Sequence, residues 1–115
     1  MAGRRHILVV EDDSLVADVI LEALDEVYAT SHVGGVEGAL ERLRGGGIDL
    51  ILLDCSLPGE PAQMLIEAER EGIPIILMSG DPEMAERLGG GRRFVPKPFT
   101  LSVLRGTIAE VVPPG

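Results

Sequence analysis

Short apolar runs alternate with longer amphipathic stretches along the chain. The runs are Ile7–Val10, Tyr28–Val33, Ile48–Leu53, Ile73–Met78 and Phe94–Val95. The first, third and fourth are nearly all apolar, the pattern of strands covered on both faces. Tyr28–Val33 is mixed and Phe94–Val95 is very short, which places both at sheet edges. Between the runs, Leu15, Val16, Val19, Ile20, Ala23, Leu24 and Val27 recur at helical spacing, with Asp18, Glu22, Asp25 and Glu26 facing away. Val36, Ala39, Leu40 and Leu43 repeat that spacing until Gly45–Gly47. A third helix opens on Pro61 and stops at Gly72. A brief fourth is capped by Asp81, has Pro82 at its first position and breaks at Gly89–Gly91. Thr100 caps the last, whose Leu101, Leu104 and Ile108 lead to Pro113-Pro114. Strand and helix thus alternate five times with short connections, an α/β order that predicts a parallel sheet with helices on both faces.

At 115 residues the chain is expected to be one domain, 1–115 with a core of about 5–112, and no separate effector domain is visible. That length buries roughly two thirds of the unfolded surface without staples. Hydrophobic residues at 45% and charged residues at 25% fit a globular protein. The formal charge of −9 repels phosphate backbones and argues against direct nucleic-acid binding. The single Cys55 excludes an internal disulfide, and no apolar run is long enough for a membrane span or signal peptide. A cytoplasmic protein is expected.

Doubly wound sheets bind ligands beyond the carboxyl ends of their strands. Here the first strand runs into Glu11-Asp12-Asp13, the third into Asp54, the fourth into Ser79, and the fifth leads to Lys97. Clustered carboxylates cannot all ionise without compensation, which a hard divalent cation and the Lys97 ammonium would supply. Mg²⁺ suits the set better than Ca²⁺, since it accepts one or two carboxylates and keeps its waters. No His or Cys clusters there, so zinc and copper are not expected. An aspartate so placed can attack a phosphoryl group and become an acyl phosphate. Mg²⁺, Lys97 and the Ser79 hydroxyl would meet the three equatorial oxygens, making Asp54 the acceptor.

These residues resemble the receiver domain of two-component response regulators across essentially the whole chain. The match lies in ILVVEDD at 7–13, DLILLDCSLPG at 49–59, ILMSG at 76–80 and FVPKPF at 94–99. The resemblance implies a flavodoxin-like (βα)5 fold with strand order 2-1-3-4-5. It further implies that Glu11 and Asp12 are the acidic pair, with Asp12 ligating Mg²⁺ directly, and that the Ser56 backbone carbonyl is another ligand. Asp54 is the implied phosphoacceptor, Ser79 the switch hydroxyl, Phe94 the switch aromatic and Lys97 the phosphate-pairing lysine. A cis Lys97-Pro98 bond is common in that family. The implied partners are a histidine kinase or histidine phosphotransfer protein and a downstream protein target, with no membrane. Enzymatic turnover is not expected beyond Mg²⁺-dependent self-phosphorylation and dephosphorylation.

The chain departs from the usual pattern in its compaction, with 25 positions from Asp54 to Ser79 and 18 from Ser79 to Lys97. A shortened fourth helix is therefore expected. The same compaction keeps open a second hypothesis, a pseudo-receiver that binds a partner without being phosphorylated. A small phosphatase of the haloacid-dehalogenase type would need an aspartate where this chain has Ser56.

Overall fold

The computed structural model describes residues 4–58, 61–89 and 92–114. The elements alternate as the pattern predicts: β1 His6–Val10, α1 Ser14–Leu24, β2 Ala29–Val33, α2 Val36–Arg44, β3 Leu50–Asp54, α3 Pro61–Glu71, β4 Ile75–Ser79, α4 Pro82–Gly89, β5 Phe94–Pro96 and α5 Leu101–Val111. All pairings are parallel and the strand order is β2-β1-β3-β4-β5. The two weak runs are the edge strands.

The third and fourth strands begin and end one to two residues later than their apolar runs. Asp49 accepts a hydrogen bond from the His6 N–H at 2.8 Å, so its side chain serves the strand end rather than the core. Pro74 lacks an N–H and cannot extend β4 backwards. At the other end, the backbone stays extended through Asp54 and Ser79, which makes both the last residues of fully buried strands.

Alternation along the strands divides the core into two layers. Leu8, Val10, Ile51, Leu53 and Leu77 face α2 and α3, with Met84 and Leu88 of α4 packed against that layer. Ile7, Val9, Leu50, Leu52, Ile76 and Met78 face α1 and α5 through Ile20, Leu24, Leu104 and Ile108. Each fully buried Leu or Ile contributes about 1.5–3 kcal/mol relative to exposure.

The expected stripe on α1 needs correction. Ala17, Ile20, Ala23 and Leu24 are buried, whereas Leu15 is 76% and Val19 50% exposed, and Val27 is also exposed. The sheet is covered by one side of the helix, and the periodic pattern contains more apolar positions than that side needs. Leu101 on α5 is likewise exposed.

The fourth helix has eight residues, short as expected. Asp81 caps it by accepting from the N–H groups of Glu83 and Met84, at 3.0 and 3.4 Å. Gly90 and Gly91, the rest of its expected breaker, lie outside the described residues. At the end of α3, Gly72 takes φ +71°, a conformation that costs a side-chain-bearing residue strain. Arg92 pairs with Glu69, Arg93 with Glu110, and Arg4 donates to the Asp25 carbonyl. Among the described residues, no helix is long and apolar enough to cross a membrane.

Candidate functional site

The parallel sheet delivers the ends of β1, β3 and β4, and the segment after β5, to one edge. Glu11 follows β1 and is 1% exposed, Asp54 ends β3 at 1%, and Ser79 ends β4 at 4%. Asp12 is exposed, and Asp13 turns away to cap α1 through the N–H groups of Leu15 and Val16. One carboxylate oxygen from each of Glu11, Asp12 and Asp54 lies within 4.8 Å of the others.

Lys97 closes the group. Its ammonium is 3.1 Å from Glu11 Oε2 and 3.3 Å from Asp54 Oδ2. Its backbone N–H donates to the Ser79 carbonyl at 2.7 Å, and the Lys97-Pro98 bond is cis. Three carboxylates against one ammonium leave two uncompensated negative charges if all are ionised. The donor set is entirely hard oxygen without His or Cys, which fits a hard divalent cation and suits Mg²⁺ or Ca²⁺ far better than zinc.

The electrostatics separate the two buried acids. Burial pushes the Glu11 carboxyl above its ordinary value, with the neighbouring Asp54 charge adding to the effect and Lys97 opposing it. Burial pushes Asp54 the same way, but the Ser56 N–H, the Ser56 hydroxyl and Lys97 outweigh it and hold the carboxyl below its ordinary value. Burial lowers Lys97, yet its bond to Glu11 and the charge of Asp54 more than offset this, so the ammonium is retained above its usual range. The two neighbouring acids are shifted in opposite directions, and Asp54 is the one whose carboxylate form is favoured. Cys55, next in the chain, is a core residue whose thiol burial pushes up to about 11, which leaves it unreactive.

The remaining predicted residues fall at the rim. The Ser79 hydroxyl donates to the Asp81 carbonyl at 2.8 Å and accepts from the Asp81 N–H at 2.9 Å, so it is turned toward the start of α4. Phe94 is 41% exposed on the outer edge. Ser56 does more than the sequence reading assigned to its carbonyl. Its hydroxyl and its N–H both donate to Asp54 Oδ1, at 2.8 and 3.0 Å. A serine two positions after an aspartate is a signal for such a turn, and it was available in the sequence. His32 also takes a part. Its Nε2–H donates to the Glu11 carbonyl at 2.7 Å and anchors the acidic turn through the backbone.

The fold and the pocket define a doubly wound α/β domain with an acidic, lysine-closed site at its strand ends, and the comparisons with known proteins fix its family. The family model for the response regulator receiver domain matches residues 7–109. This chain therefore belongs to the response regulator receiver domain family. Among curated relatives, the transcriptional regulatory protein CseB of Streptomyces coelicolor is 32% identical over 120 residues, covering 97% of this chain and 51% of its own. The swarming motility regulation protein RssB of Serratia marcescens is 32% identical over 114 residues, covering 92% and 52%. The chain thus spans about half the length of these relatives. Among solved structures, the N-terminal domain of the nisin resistance regulator NsrR superposes with a TM-score of 0.80 at 29% identity, covering 95% of this chain and 98% of that one. A receiver domain of a Luxo repressor protein from Vibrio parahaemolyticus gives 0.83 at 25%, covering 94% and 89%.

Proposed function

We propose that this receiver domain accepts a phosphoryl group on Asp54 and uses it to regulate a partner protein. The observation that carries the reading is the Lys97 ammonium 3.3 Å from the buried, ionised Asp54, in one pocket with Glu11 and Asp12. Asp12, Asp54, Glu11 and the Ser56 carbonyl would hold Mg²⁺. When bound, the ion neutralises the excess negative charge and draws electron density from the transferring phosphoryl oxygens.

An Asp54 carboxylate oxygen attacks phosphorus, and the bond from phosphorus to the donor breaks with its electron pair leaving on the donor. For a phosphohistidine the leaving group is imidazole; for acetyl phosphate it is acetate. Lys97 pairs with one phosphoryl oxygen, and Ser79 reaches another by giving up its bond to the Asp81 carbonyl. Phe94 then turns inward into the space that Ser79 vacates. Complete reversal of such an equilibrium takes about 5.5 kcal/mol of differential stabilisation, within reach of several charge-assisted bonds.

A histidine kinase or phosphotransfer protein is the expected donor. Leu15, Val16 and Val19 on α1 join Pro98 and Phe99 around a cavity of about 550 Å³ beside Lys97. That apolar surface, adjacent to the acceptor, suits the face of a helix that carries a phosphohistidine. The charge of −9 disfavours nucleic acid as a direct target of these residues.

Incubation with acetyl phosphate and Mg²⁺, followed by intact mass measurement, tests the reading. A single phosphoryl adduct that disappears in Asp54→Asn is expected. No adduct on the unaltered protein would leave an interaction module that works without phosphorylation.

A further inference from the structure

The ladder between β1 and β2 stops at the acidic turn, and one side chain completes it. Val10 pairs with Val33, and the Glu11 N–H donates to the Val33 carbonyl at 3.1 Å. In a parallel ladder the N–H and the carbonyl of one residue face the same neighbour, so the Glu11 carbonyl also points toward β2. One more step of the register would bring it the N–H of Gly35. Gly35 is instead the N-cap of α2, where the chain has left the sheet. His32 supplies the missing donor, with its Nε2 2.7 Å from the Glu11 carbonyl oxygen. A carbonyl oxygen only accepts, which assigns the proton to Nε2.

That carbonyl belongs to the peptide that carries Asp12. Glu11 is held by Lys97 and Asp54 by Ser56, but among the described residues the Asp12 side chain has no hydrogen-bond partner of its own. Asp12 is also exposed, so packing does not fix it either. Its carboxylate is aimed by the backbone on each side. After Asp12 the chain is fixed twice: the Asp13 N–H donates to Glu11 Oε1 at 3.2 Å, and the Asp13 carboxylate caps α1. Before it, His32 is what holds the carbonyl. Contacts beyond a metal's own ligands set the orientation of those ligands and hence the affinity.

We propose that His32 is a positioning residue for the dication: through the Glu11 carbonyl it holds the Glu11-Asp12 peptide in the plane that presents Asp12 to the pocket beside Asp54. The inference rests on the reading that Asp12 and Asp54 hold Mg²⁺ together for phosphoryl acceptance. It adds an edge-strand residue that touches neither the ion nor the phosphoryl group. His32 is itself exposed, so water takes the carbonyl when the imidazole is removed, and what is lost is the aim of Asp12.

Two substitutions separate the hydrogen bond from the bulk of the ring. His32→Phe keeps the ring and loses the donor; His32→Gln keeps a side-chain N–H at nearly the same reach. In calorimetric titration of the unphosphorylated proteins with Mg²⁺ alone, the dissociation constant should rise about three- to tenfold in His32→Phe, the scale of one hydrogen bond, and stay within about twofold of wild type in His32→Gln. Adduct formation from acetyl phosphate should be slower in His32→Phe at limiting Mg²⁺ and equal to wild type at saturating Mg²⁺. A purely structural contact would shift the urea midpoint of His32→Phe and leave both readouts unmoved, which overturns the proposal. A His32→Gln protein that matches His32→Phe also overturns it. In both cases the wild type still binds Mg²⁺ and takes the phosphoryl group, so the Asp54 reading stands. A wild type that binds no Mg²⁺ removes that reading and the role of His32 together.

Discussion

Lys97 is the residue on which the electrostatics of the pocket turn. It is the cation that lets Glu11 and Asp54 lie buried within a few ångströms of each other, and its own protonation is favoured in return. Because its folded value lies above the ordinary 10.5, its ion pairs contribute stability in full below that pH and lose it as pH rises through the higher folded value. Asp54 acts in the opposite sense: its depressed value adds stability above the ordinary carboxylate range that fades as pH falls through the folded value. Lys97→Met should therefore destabilise the metal-free protein at pH 7 by about 1–3 kcal/mol, since it strands two buried acids. The difference should shrink toward strongly alkaline pH. Urea unfolding at a series of pH values would show it, and a constant difference across the series would contradict the pairing. The positions of Glu11, Asp12, Asp54, Ser79 and Lys97 at strand ends were legible in the sequence because each interrupts or follows an apolar run. The direction of the Ser79 hydroxyl and the second role of Ser56 were not. Both depend on a single side-chain rotation that chain pattern does not encode.

At the scale of elements, the edge strands and the short α4 followed from composition, while the surplus of apolar residues on α1 misled. Leu15 and Val19 repeat at the same helical spacing as Ile20 and Leu24, and spacing alone does not say which side of a broad apolar surface meets the sheet. Only the sheet's width decides that, and the leftover residues border the site. The brief α4 depends strongly on its cap. Asp81 satisfies two otherwise orphaned N–H groups, and its backbone also holds the Ser79 hydroxyl. Asp81→Ala should cost about 1 kcal/mol, read from the chemical denaturation midpoint. In the phosphorylated protein the same substitution should change the dephosphorylation rate, because Asp81 lies two positions past Ser79 and its backbone holds the Ser79 hydroxyl. An unchanged rate would confine Asp81 to capping.

Across the whole molecule, the strand-end site is held by contacts far from it. Among the described residues, no buried side-chain nitrogen or oxygen lacks a partner. One such pairing spans most of the chain: the Tyr28 hydroxyl, buried before β2, donates to the Val112 carbonyl after α5 at 2.7 Å. It closes the layer formed by α1 and α5 at the end opposite the acidic pocket. Tyr28→Phe keeps the ring and strands that carbonyl, so a loss of about 1–2 kcal/mol is expected in urea unfolding, with Mg²⁺ affinity unchanged. A stability equal to wild type would show that water serves Val112 as well. The two-layer core was legible because β1, β3 and β4 are apolar on both faces; this long-range tie was not, since nothing local links Tyr28 to Val112.

The proposed switch requires an acyl phosphate on one particular side chain. Treating the acetyl phosphate-reacted protein with borohydride converts an aspartyl phosphate to homoserine, and peptide mass analysis locates the change. Conversion at position 54, dependent on Mg²⁺ and lost in Asp12→Asn, is the predicted result. Conversion at another carboxylate, or at Asp54 without regard to Mg²⁺, would contradict it.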